Sequence, residues 1–110
     1  MRTIREVFGN DEKVWVYLNN ENAWKQFVNM AVAEGFHFGN LPVERWTFGY
    51  VIAVHSNGNI GHLPLFVWCR SFSLNDRKCP KKIDFMRYIS NEDDYCCKNS
   101  HFTGKVKCRP

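Results

Sequence analysis

Nowhere does this 110-residue chain hold the roughly 18 to 20 consecutive apolar residues that a membrane-spanning helix needs. Its first residues, MRTIREVFGNDEK, lack the apolar stretch of a secretion signal, which places the expected chain in the cytoplasm of the cell that makes it. Glycine-rich phosphate loops, serine elbows and paired-carboxylate patterns are missing, so the common signatures of nucleotide handling and hydrolysis are not there to be read. Internal repeats and low-complexity tracts are absent as well. What these gaps leave is a single compact domain over residues 1–110, with length for one core and not for two.

Hydrophobic residues make up 45% and aromatics 15% of the chain, including nine Phe, four Trp and four Tyr, far more apolar material than a disordered segment carries. The net charge of +4 is unevenly spread. Residues 1–72 hold six Lys/Arg and six Asp/Glu, which cancel, whereas residues 73–110 hold nine against five. The basic tail suits an acidic partner or nucleic acid, or simply keeps the domain soluble.

Residues 13–18 (KVWVYL) are β-branched and aromatic and read as a mostly buried strand. A helix follows, with Asn20 as N-cap, Trp24, Phe27, Val28 and Ala31 as its core stripe and Gly35 as its stop. Residues 36–38 are expected as a short strand and residues 39–49 as a loop. Residues 50–55 and 60–63 flank Asn57-Gly58, the pair best suited to a type I′ hairpin turn. Pro64 is expected at a bulge or edge before a strand over residues 65–72 (LFVWCRSF), and residues 83–89 (IDFMRYI) suggest a further strand. The expected class is α+β, one helix on a small antiparallel sheet in the order β-α-β-β-β over residues 1–72. Residues 73–110 read as a loop-rich, basic appendix with too little apolar material of its own.

That appendix holds Cys79, Cys96, Cys97, His101 and Cys108 within 30 residues. In a reducing cytosol such a cluster points to zinc, which takes four thiolate or imidazole ligands and supplies folding free energy that a thin core cannot. Cys97 and His101 are four residues apart and Cys96 and His101 five. Adjacent side chains point apart, so the preferred set is Cys79, one of Cys96 or Cys97, His101 and Cys108. A four-cysteine set, ordinary reduced cysteines and disulfides are the alternatives, because paired Cys-x-x-Cys knuckles are lacking. A zinc here is expected to be structural.

No catalysis is expected. His55 and His62 flank the hairpin turn, and Cys69 reads as a small core residue in an apolar strand. Contact with a partner is assigned to Trp46 and Phe48 in the 39–49 loop and to the basic Lys81, Lys82, Arg87, Lys105 and Lys107. Core packing is the competing role for the two aromatics.

The stretches VWVYLNNENAWKQFVNMAVAEGFHFGN and VIAVHSNGNIGHLPLFVWC resemble small proteins carried by phages and other mobile elements, some of which are anti-CRISPR inhibitors. The resemblance implies a stoichiometric binder in a bacterial host that blocks DNA loading or cleavage by a type II RNA-guided nuclease, touching protein or guide RNA. Its basic charge excludes simple mimicry of DNA. Two other readings stand beside it: a small zinc-containing nucleic-acid-binding regulator, and a sponge for a nucleotide signal.

Overall fold

The computed structural model describes residues 2–72 and 80–97. Its class is α+β, with a four-stranded mixed sheet as the middle layer and helices on both faces. The sheet contains β1 (Lys13–Tyr17), β2 (Val51–His55), β3 (Ile60–His62) and β4 (Lys81–Asp84), in the order β3-β2-β1-β4. The helices are α1 (Glu21–Ala33), α2 (Leu65–Ser71) and α3 (Phe85–Ile89).

β1 explains the layering. Its side chains alternate between faces, yet Val14, Trp15, Val16 and Tyr17 are all buried, as expected of a central strand covered on both sides. Val14 and Val16 join the larger core with Ala23, Trp24 and Phe27 of α1 and Phe85 and Tyr88 of α3. Trp15 and Tyr17 face the other way, into a smaller core built on Trp68 and Cys69 of α2.

The expected helix is α1, and its ends are made as its sequence suggests. The Asn20 side chain accepts from the Ala23 N–H at 2.9 Å. At the other end Gly35 takes a φ of +84°, donating to the Val32 carbonyl, while the Phe36 N–H reaches the Ala31 carbonyl at 2.8 Å. This 6→1 and 5→2 pair is a Schellman cap.

Four expectations are corrected. Residues 65–72 form a helix, not a strand: Leu65, Trp68, Cys69 and Phe72 recur at helical spacing against the second core, while Phe66 and Arg70 point outward. A short apolar run does not reveal its period, and Pro64 caps that helix instead of marking a bulge. Residues 83–89 are split, because Asp84 ends β4 and caps α3 by accepting from the Met86 and Arg87 N–H groups. The sheet is mixed, since β4 runs parallel to β1 while β2 runs antiparallel to it. Residues 36–38 make only isolated bridges, His37 to Asn59 and Phe38 to Leu41.

The β2–β3 hairpin forms where expected, with a different turn. Only Gly58 has a positive φ, +99°, and the Gly58 N–H donates to the His55 carbonyl while the His55 N–H donates to the Asn59 carbonyl. This is a turn followed by a left-handed glycine, the three-residue bulged form.

The described part of the C-terminal third is part of the main fold. Ile83, Phe85, Tyr88 and Ile89 are buried in the larger core, and residue Cys96 bridges antiparallel to Ile83 along the outer edge of β4. The N-terminal segment is fastened to the same region, with the Tyr88 hydroxyl donating to the Thr3 carbonyl at 2.6 Å and Arg2 lying over the Tyr88 and Tyr95 rings.

Candidate protein-binding surface

Residues 39–50 connect the end of α1 to β2 with a single short 3₁₀ turn, Val43–Arg45, entered through Pro42. The loop is nonetheless tied down. The Trp46 indole N–H donates to the Leu41 carbonyl at 3.1 Å, and its ring lies edge-on to Phe38 with centroids 4.9 Å apart. Phe48 bridges Trp24 of α1 and Tyr50, at 6.4 and 5.1 Å. Thr47 is hydrogen-bonded to His62 across the hairpin edge, and a Cβ on Gly49 would stand 2.9 Å from His62 Nδ1.

Trp46 and Phe48 are therefore half-buried packing residues of the larger core, with only part of each ring open. The side chains this loop leaves in solvent are others: Leu41, Val43 and Tyr50, each more than a third exposed. Sequence reasoning passed over them, although Leu41 and Val43 flank a proline in an aperiodic loop with no strand or helix period to bury them. Between the loop and α1 lies a groove of about 160 Å³ lined by Trp24, Lys25, Val28, Asn29, Val43 and Trp46.

The expected basic contacts are arranged differently. Lys81 donates to the Tyr95 hydroxyl at 3.2 Å and lies 5.0 Å above that ring. Lys82 lies over two rings, Trp15 at 5.6 Å and Phe72 at 4.9 Å. Arg87 stands 4.0 Å from the Asp84 carboxylate and reaches the Asp94 carbonyl. Each cation has a partner inside the fold, so these three do not form a bare basic patch. Lys105 and Lys107 lie outside the described residues.

Of the proposed zinc ligands, Cys79, His101 and Cys108 lie outside the described residues, and the described remainder contains no group of three His, Cys, Asp or Glu able to hold a metal. Cys96 and Cys97 do point apart. Cys96 is exposed, whereas Cys97 packs against the smaller core. Burial, followed by the neighbouring Asp84 carboxylate and the Cys96 thiol, pushes the Cys97 thiol up to about 12. Such a thiol stays protonated at neutral pH, the reverse of what a nucleophile requires.

Cys69 is buried on α2 and is disulfide-bonded, a role that its reading as a plain core residue did not foresee. Cys96 and Cys97 are free and take no part in that bond.

No helix among the described residues is long and apolar enough to cross a membrane. No protein-family model, curated protein or solved structure matches the chain.

Proposed function

We propose that this chain is a non-catalytic, stoichiometric binding protein that docks on a second protein through the 41–50 loop and the adjoining face of α1. The observation that carries this reading is the exposure of Leu41, Val43 and Tyr50 on a loop whose backbone is held by the Trp46–Leu41 hydrogen bond and by aromatic packing. Apolar side chains displayed on a pre-ordered loop lose little conformational freedom on association, which favours binding. An inhibitor of a bacterial nucleic-acid-processing complex, such as the type II nuclease implied by the sequence resemblance, acts in this manner.

Two observations weigh against the other readings. The groove's 160 Å³ is small beside the roughly 300–1,000 Å³ of pockets that take drug-sized molecules, which disfavours a nucleotide sponge at this site. Lys81, Lys82 and Arg87 are engaged with rings, a hydroxyl, a carboxylate and a carbonyl, which disfavours a phosphate-binding stripe made of them.

Capture from bacterial lysate by the wild-type chain and by Val43→Asp, with the stoichiometry of the recovered complex measured by ultracentrifugation, tests the proposal. The expected result is one defined protein partner, retained by the wild type and lost by a variant whose thermal melting is unchanged. Equal retention by both chains, or recovery of nucleic acid without protein, would sink it.

A structural zinc also belongs to this proposal, held by Cys79, one of Cys96 or Cys97, His101 and Cys108. Metal analysis of fully reduced protein should then find zinc in stoichiometric amount, and oxidised protein should have lost it. Metal-free protein in both states ends the zinc assignment.

A further inference from the structure

Resting on the binding reading above, we infer that the groove between α1 and the Val43–Arg45 turn receives a peptide segment that combines a large apolar side chain with a neighbouring carboxylate. The floor and walls of the groove come from Trp24, Val28, Val43 and Trp46, and its single charged lining residue is Lys25. Lys25 is exposed and makes no ion pair among the described residues. A slot that sets apolar walls beside the polar Asn29, with one cation lacking an ion-pair partner at its rim, matches a ligand that is apolar on one side and negative at its edge.

The walls are rigid, which suits recognition of a protruding side chain. Trp24 stacks on Phe27 at 6.1 Å and is held edge-on by Phe38 and Phe48, while the Trp46 indole is fixed by its bond to Leu41. Val32, half exposed one turn beyond Val28 on α1, carries the apolar strip past the end of the groove, so the contact extends beyond one side chain. A nucleic acid is a poor occupant. Base stacking needs an open ring face, yet Trp24 is only 8% exposed and its ring is packed on Phe27. One lysine is also too little to track a phosphate backbone.

The test is a selection of random 12-residue peptides displayed against the immobilised full chain, run in parallel on wild type, Lys25→Glu and Val43→Asp. Asn29→Trp, which fills the groove from the exposed side of α1, is a second block should Val43→Asp melt early. On wild type the expected consensus is a large apolar residue flanked by Asp or Glu, and a synthetic consensus peptide should change tryptophan fluorescence saturably. Lys25→Glu should replace the acids by Lys or Arg, and the blocked variants should yield no consensus. A consensus that needs Val43 but lacks acids, or that keeps them on Lys25→Glu, overturns the charge assignment and leaves the docking reading standing. Recovery independent of Val43 and Asn29, or no consensus on wild type, overturns both.

Discussion

Residues 41–50 and residues 80–97 treat their side chains in opposite ways. In the first segment apolar groups stand in water, Leu41 and Val43 on a loop that is otherwise well anchored. In the second, cations are folded inward over rings, with Lys81 on Tyr95 and Lys82 on Trp15 and Phe72, while Phe85, Tyr88 and Ile89 fill the core. Charge counted along a chain therefore says where cations are, not whether they are free. An ammonium over an aromatic face contributes roughly 0.5–1 kcal/mol at an exposed site, and in this role lysine serves the fold more than a partner.

The comparison breaks most readily at Phe85. Its ring is 1% exposed and meets Phe27 edge-on at 5.4 Å. Replacing it by alanine should destabilise the protein by about 3–5 kcal/mol in denaturant titration, as for other fully buried phenylalanines. A loss below about 1 kcal/mol, the size of a typical surface change, would return residues 80–97 to the periphery.

A smaller effect should come from Tyr88. Burial, followed by the Glu6 carboxylate, pushes its phenol up from 10.0 to about 12. A raised folded-state value means that the folded protein holds this proton more tightly than the unfolded chain. The associated stability is complete below pH 10 and is lost as pH rises towards about 12. Chemical denaturation across that window should show stability falling with pH, and Tyr88→Phe should flatten the fall. An unchanged slope in the variant would assign the alkaline loss to other groups. The same substitution removes the hydroxyl that holds the Thr3 carbonyl, so a uniform loss of about 0.5–1.5 kcal/mol should accompany it at neutral pH.

How far the residues announced this architecture varies along the chain. α1 was legible because three independent signals agree: the Asn20 cap, the stripe from Trp24 to Ala31 and Gly35 as terminator. The hairpin was legible through Gly58, although Asn57 does not share its positive φ. α2 was not, since LFVWCRSF is apolar nearly throughout and helix and strand periods become indistinguishable when both faces of a short run are greasy. Residues 81–89 were misjudged for a related reason. Their four buried residues are spread among charges that look solvent-facing, and only pairing with β1, some 67 residues earlier by the Val14–Lys81 register, shows them to be core. At the candidate surface the two aromatics named from the sequence, Trp46 and Phe48, pack partly into the larger core, because rings on an aperiodic loop still find a core to cover, while Leu41, Val43 and Tyr50 stay outside.

The parallel pairing of β1 with β4 has a kinetic meaning. β1 lies between an early partner, β2, and a late one, and its second edge stays open until residues 81–84 have been synthesised. A nascent chain that has reached only α2 thus presents an unfilled main-chain edge made of Val14, Trp15, Val16 and Tyr17, a ready template for pairing with the wrong strand. Closure of this domain is an event of late synthesis, and its misfolding hazard is concentrated in the interval before β4 arrives.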